Sequence, residues 1–153
     1  MIRIKKIALL LVACSLFALV GTAQTSLNIY PVNNTFGLKF GADNKLSSEF
    51  RLKFQVEMSD ASNNVYVNPE NLVLYNFSQK EHFHFYTGVG IGVNFFNKNT
   101  GSFYGKIPLG GTYYFSQHKR IALVAEGGVN LRAVEYLKLN SYALIGVQIR
   151  LSK

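Results

Sequence analysis

The sequence predicts an all-β fold: a single closed antiparallel up-and-down β-barrel of about eight strands, preceded by a cleavable leader. Three observations support this prediction. Apolar residues alternate with polar or small residues along most of the chain, which is the period of a strand and not of a helix. Short segments rich in turn-forming residues separate the alternating runs. The N-terminus is first basic and then apolar, as in exported proteins.

The first 23 residues are interpreted as a signal peptide, which leaves residues 24–153 as one β-barrel domain. Arg3, Lys5 and Lys6 precede the uncharged run 7–20, and the small residues before position 24 suit cleavage after Ala23. The uncharged run is shorter than the roughly 20 residues that a membrane-spanning helix needs. A cleaved leader is therefore favoured over a retained membrane anchor.

Cys14 is the only cysteine, and it lies inside this leader. The stretch from Leu11 to Cys14 resembles the lipobox of bacterial lipoproteins, so lipidation at Cys14 is an alternative. Against it, the exported protein would then begin with the apolar stretch 15–20. Cleavage after Ala23 leaves no thiol in the mature chain, which excludes disulfides and thiol catalysis.

Eight alternating runs follow the leader. The clearest is 82–96, where Phe83, Phe85 and Val89 fall on one face and His84 and Gly90 fall on the other. The run 26–30 is short and is counted as a strand because barrel closure needs it. The run 65–77 contains a proline and its apolar phase shifts near position 71, which predicts a bulge or a split strand there. The predicted strands are 26–30, 35–42, 46–58, 65–77, 82–96, 102–115, 121–134 and 141–151.

Short connections indicate that consecutive strands form hairpins, and hence an antiparallel meander. These connections are too short to form large ligand-binding or adhesive loops, and eight strands leave little open space inside a barrel. The predicted turns are 43–44, 59–64, 78–81, 97–101, 117–120 and 135–140.

The composition of the two faces predicts that the apolar face points outward. The apolar face carries many phenylalanines, which fit poorly inside so narrow a barrel. The other face mixes glycines with charges of both signs, and buried charges must be paired. The predicted polar network in the lumen consists of Glu49, Arg51, Lys53, Lys106, Glu126, Arg132 and Arg150.

Aromatic residues gather near the strand ends, which predicts two girdles about a membrane thickness apart. The girdle residues are Phe77, Phe83 and Phe115 on one side, and Tyr66, Phe95 and Phe103 on the other. Tyr113 lies in the first of these regions and Phe96 lies in the second.

These patterns resemble the small outer-membrane β-barrel proteins of Gram-negative bacteria, the OmpA/OmpX-like class. The resemblance lies in "TFGLKFGADNKLSSEFRLKFQ", "HFYTGVGIGVNFF", "IPLGGTYYF", "IALVAEGGVNL" and "YALIGVQIRL", which cover most of the mature chain. It implies location in the outer membrane, contact with outer-membrane lipid and insertion by the barrel-assembly machinery. It brings no catalytic residues. One departure is the end Leu151-Ser152-Lys153, where members of the class usually carry a terminal aromatic residue.

The sequence thus predicts a non-enzymatic outer-membrane barrel with a structural, envelope-integrity or surface-interaction role. One alternative is a soluble periplasmic or secreted lipocalin-like barrel that binds an apolar ligand. A second is a lipid-modifying enzyme that uses Ser102, Glu126 and His84. His82 and His84 lack a third ligand at a recognisable spacing, so no metal and no cofactor are expected. The scattered charges argue against a nucleic-acid partner, and a monomer is expected.

Overall fold

The structure, a computed structural model, describes residues 24–59, 62–95, 102–115, 120–133 and 137–151. The predicted leader with Cys14, as well as Phe96, lies outside these ranges. No helix within them combines the length and the apolar character that a membrane-crossing helix requires. The strands are β1 (Thr25–Tyr30), β2 (Thr35–Phe40), β3 (Leu46–Ser59), β4 (Ser62–Gln79), β5 (Phe83–Asn94), β6 (Ser102–Tyr114), β7 (Ile121–Ala133) and β8 (Leu137–Arg150).

The eight strands form one closed antiparallel barrel in which each strand pairs with its neighbour in the chain. Closure comes from β1 and β8, with Ser26 opposite Arg150 and Ile29 opposite Val147. The predicted up-and-down barrel of eight strands is therefore confirmed, and the short first strand completes it. Closure pairs the edges that an open sheet would leave free.

The fourth strand differs from the expectation. It runs without a shift through Pro69 and Asn71, and the only irregularity in its pairing with β5 lies between Asn76 and Ser78. The predicted bulge near position 71 is therefore wrong. The backbone phase is continuous, and the apolar phase changes because Leu72 and Leu74 point into the barrel.

The barrel is apolar outside and largely polar inside. In β5, Phe83, Phe85 and Val89 are exposed on the outer wall, whereas His84 and Tyr86 are buried in the lumen. A small apolar cluster also lies inside the barrel. Its members are Tyr30, Leu72, Leu74, Tyr86, Val124 and Leu144. The lumen is thus filled by side chains, as expected for eight strands.

The barrel has two ends. We call "upper mouth" the end that carries the β1–β2 turn around Asn33 and the end of β7 at Arg132. We call "lower mouth" the end that carries Asp43 and the last residue of β8, Arg150.

Candidate functional site in the barrel lumen

The centre of the lumen is occupied by Arg51 held between two carboxylates. Its Nη1 and Nη2 atoms donate to the two carboxylate oxygens of Glu126 at 2.7 and 2.6 Å. Nη2 also donates to Glu49 at 2.8 Å. The side chain of Arg51 is fully buried. The two-pronged contact matches the planar guanidinium to the planar carboxylate, which is the strongest arrangement for this pair.

Tyrosine hydroxyls complete the hydrogen bonding of these carboxylates. Tyr86 donates to Glu126 at 2.8 Å and Tyr142 donates to it at 2.9 Å. Tyr30 donates to Glu49 at 3.3 Å and accepts a hydrogen bond from Arg51. We call Arg51, Glu49, Glu126 and these three tyrosines the central network. Satisfying the lone pairs of a buried carboxylate offsets the cost of removing it from water.

Lys39 balances the charge of the central network. It is buried, and its Nζ lies 4.7 Å from the centre of the Tyr86 ring. With Lys39 included, the two cations of this region match the two carboxylates in formal charge. A lysine over an aromatic face is stabilised by the electron density of the ring.

Four inward tyrosines each lie over a glycine on the neighbouring strand. A Cβ added to Gly110 would lie 2.6 Å from the ring of Tyr86. At Gly128 it would lie 2.9 Å from the ring of Tyr142. Only a residue without a side chain leaves this space, so the glycines of the lumen determine where the rings lie. The four pairs are Tyr30–Gly146, Tyr86–Gly110, Tyr104–Gly92 and Tyr142–Gly128.

Above the central network, a second buried ion pair joins Glu70 and Lys106. The two side chains meet at 2.6 Å, and Tyr104 also donates to Glu70. The Nζ of Lys106 lies 4.2 Å from the centre of the Tyr142 ring. Lys106 therefore links the second ion pair to the central network.

A polar cavity of about 80 Å³ extends from this ion pair to the upper mouth. Its wall includes Lys53 and Arg132, which make no ion pair with any residue in the described ranges. The guanidinium carbon of Arg132 lies 5.8 Å from the centre of the Tyr104 ring. The remaining polar lining comes mainly from asparagine and glutamine side chains.

The lower mouth is closed by paired groups. Arg150 contacts Asp43 at 2.6 Å, and their side chains are 12% and 26% exposed. Next to this pair, Gln148 donates to the hydroxyl of Tyr114 at 3.1 Å. The buried ring of His84 packs 4.9 Å from the Tyr114 ring.

All seven residues predicted to form the lumen network lie on the inward phase of their strands, but they do not form one cluster. Glu49, Arg51 and Glu126 are in direct contact. The others separate into a middle pair, an upper mouth and a lower mouth. Lys106 pairs with Glu70 and Arg150 pairs with Asp43, and neither carboxylate was in the predicted set.

Five of the six predicted girdle residues are exposed on the outer wall. Phe77, Phe83 and Phe115 are exposed on the outer wall near the lower mouth, and the Phe83 ring packs against the tilted ring of Tyr113 at 4.7 Å between ring centres. Near the upper mouth, Phe95 and Phe103 are exposed.

Tyr66 does not belong to the upper girdle. It pairs with Gln55, which lines the lumen cavity, while the adjacent Val65 and Val67 are exposed outside. The prediction for Tyr66 is wrong because the phase of β4 is continuous, which places the even-numbered residues of this segment inside.

The predicted network left out Glu70, Asp43, Lys39 and the four tyrosines that face glycines. The alternation itself places Lys39, Tyr86 and Tyr104 on the polar faces of their strands. For the tyrosines a usable signal was present, since each occupies a position where the neighbouring strand offers a glycine. Glu70 was missed because the expected phase shift in β4 hid which face it occupies.

The residues of the enzyme alternative are not brought together. Ser102 lies opposite Asn94 at one end of the β5–β6 pair, and His84 lies opposite Thr112 at the other. His84 is about ten residues from Asn94, which is roughly 30 Å along a strand. His82 contacts the backbone oxygen of Tyr114 at 3.2 Å. No group of three or more potential metal ligands occurs in the described part of the chain.

Comparisons of the chain with protein-family models, with curated proteins and with solved structures found no match.

Proposed function

We propose that this chain is a non-enzymatic barrel of the outer membrane with a structural, envelope-integrity or surface-interaction role. One observation carries the proposal: large apolar side chains cover the outer wall, whereas charged and hydrogen-bonded side chains fill the lumen. A protein in water buries its apolar residues, and a barrel in lipid does the reverse. The partners that this proposal implies are outer-membrane lipid and the barrel-assembly machinery.

The outer wall has the composition that lipid contact favours. Val89, Leu109 and Ile145 are each more than 60% exposed near the middle of their strands. Aromatic side chains lie at both ends of this apolar belt, as in membrane barrels. Because the barrel is closed, every strand pairs with a neighbour on each side and no sheet edge is left free, which is what a hydrocarbon environment requires.

The filled lumen favours a structural role over a role as an open pore. The central network lies across the barrel between the two mouths, and all its members except the partly buried Tyr142 are buried. The cavity at the upper mouth ends at Glu70, Lys106 and Tyr142. We therefore propose that the barrel is a monomer that does not conduct ions at rest.

The two alternatives receive less support. A lipocalin-like carrier needs an apolar interior cavity, whereas the described cavity of the lumen is polar. An enzyme built on Ser102, Glu126 and His84 would need those side chains within hydrogen-bond reach of one another. They lie at different heights of the barrel.

A matched pair of substitutions tests the membrane proposal. Val89 and Val65 are both 63% exposed on the outer wall, but Val89 lies at the middle of β5 and Val65 lies near the end of β4. In lipid, Val89→Arg should destabilise the barrel by about 2–4 kcal/mol and Val65→Arg by about 0–1 kcal/mol. The measurement is equilibrium unfolding in urea of the full mature chain in lipid vesicles.

A soluble barrel predicts a different result. Both arginines would then point into water, and both variants would unfold like the wild type. Equal stability of the two variants, or a wild-type protein that is recovered folded without detergent after cell breakage, would contradict the proposal.

A further inference from the structure

We propose that the upper mouth of the lumen binds a phosphate group, either as inorganic phosphate or as the terminal phosphate of a larger molecule. The proposal rests on the charges that line this mouth, on their arrangement across three strands and on the polar cavity between them. It does not depend on whether the barrel lies in a membrane.

Charges are compensated everywhere in the described lumen except at the upper mouth. Glu49 and Glu126 are matched by Arg51 and Lys39, and the other two carboxylates among the described lumen side chains, Glu70 and Asp43, each have a basic partner. Three inward-phase cations remain, and among the described side chains none of them has an acidic partner. They are Lys53, Arg132 and Lys138.

Two of these cations are placed directly against each other. Arg132 and Lys138 are register partners in the β7–β8 pair, on the side of the sheet that faces the lumen. Like charges directly opposite one another destabilise an antiparallel pair. An anion bound between them would offset that repulsion, and this gain in free energy favours anion binding at the upper mouth.

The cavity suits a small tetrahedral oxyanion. Its volume of about 80 Å³ is several times the roughly 10–15 Å³ that a single water occupies by the same measure. Arg132 supplies a planar fork of donors, which binds phosphate oxygens in pairs, and Lys53 supplies a compact ammonium on the opposite wall. Asn130 and the other amides of the lining can complete the hydrogen bonds.

The floor of the cavity sets the depth to which an anion can enter. Glu70 already accepts from Lys106 and Tyr104, so its negative charge is matched within the floor. An anion would therefore bind above this pair, next to Arg132. A dianion is favoured over chloride because more than one unmatched positive charge faces it.

The test is a calorimetric titration of the folded mature chain in detergent micelles at constant ionic strength. Three probes are used: inorganic phosphate, glucose 6-phosphate and uncharged glucose. Saturable heat with the first two and none with glucose is the expected result. The ratio of the two phosphate affinities tells whether the free ion or a phosphate ester is the preferred source. No saturable binding of either phosphate, or equal binding of glucose, would overturn the proposal.

Variants assign the binding to the upper mouth. Because hydrogen bonds to charged groups contribute strongly, Arg132→Gln should weaken phosphate binding by about tenfold, and the double variant with Lys53→Gln by about a hundredfold. The matched control is Lys45→Gln, which removes an exposed lysine near the lower mouth and should leave the affinity unchanged. An equal loss of phosphate affinity in Lys45→Gln would show that only the overall charge of the protein matters, and it would refute the assignment to the upper mouth.

A second measurement covers the case in which the double variant does not fold. Phosphate added to the wild-type protein should shift the backbone amide resonances of Asn130 and Arg132 and leave those around Lys45 in place. Shifts confined to the lower mouth would contradict the proposal. Because a water-soluble barrel with the same lumen would behave identically, failure here would leave the membrane proposal standing.

Discussion

At the lower mouth Arg150 contacts Asp43 at 2.6 Å, whereas at the upper mouth Arg132 lies opposite a second cation, Lys138. The centre of the lumen resembles the lower mouth, because its charges also balance. The same barrel therefore has a compensated part, from Asp43 to Lys106, and an uncompensated rim. In the first region the paired charges stabilise the barrel. In the second region the cations that are unpaired among the described side chains are the groups to which we propose that phosphate binds.

The largest expected effect lies in the compensated part. Arg51→Ala removes the only cation that contacts Glu49 and Glu126 in the described structure. Leaving buried carboxylates without their partner should destabilise the barrel by about 3–5 kcal/mol. Arg132→Ala is the matched control at the upper mouth and should cost under about 1 kcal/mol, the range of weakly engaged charges. Urea unfolding of both variants in the same lipid vesicles gives the two values. Similar losses would show that the two regions do not differ.

An intermediate effect is expected from the glycines that face tyrosine rings. A Cβ at position 110 would meet the Tyr86 ring at 2.6 Å and the backbone oxygen of Ala125 at 2.9 Å. Gly110→Ala should therefore push the ring away from Glu126 and cost about 1–3 kcal/mol, as overpacking does. Gly105→Ala on the same strand has its nearest atom at 3.6 Å and should unfold at nearly the wild-type urea concentration. If Gly105→Ala were the more harmful change, the packing argument would be wrong.

The smallest expected effects have opposite signs at the two mouths. Asp43→Asn leaves Arg150 without its carboxylate and should lower stability by about 0.5–1 kcal/mol, since the pair is partly exposed. Lys138→Gln relieves the repulsion with Arg132 and should raise stability by about 0.2–0.5 kcal/mol. Both shifts should shrink in high salt, which screens exposed charges. Unfolding midpoints at low and at high ionic strength provide the measurement, and shifts of the same sign would remove the distinction between the mouths.

The sequence was sufficient for the fold because the period of two is a local property. Alternation at 82–96 and short turns predict hairpins without any knowledge of tertiary contacts. The inward phase of the seven predicted charges followed from the same rule. These are the features that depend on one strand at a time.

The partners across strands could not be read in the same way, because register decides them. Lys106 meets Glu70 only because β4 keeps its phase through Pro69, where a shift was expected. Alternation places Tyr86 on the polar face, but it does not show which carboxylate the hydroxyl reaches, so the inward tyrosines were left out of the predicted network.

The pairing of tyrosine rings with glycines limits which substitutions this sequence can tolerate. A larger residue at position 110 is tolerated only if a smaller residue replaces the tyrosine at position 86. A tyrosine at a new lumen position likewise needs a glycine opposite it on the neighbouring strand. The two members of each pair are thus expected to change together in descendants of this gene. Covariation is therefore expected between positions 30 and 146, 86 and 110, 92 and 104, and 128 and 142. In distant relatives whose charged residues have changed, these pairs would still identify which residues of neighbouring strands lie opposite each other.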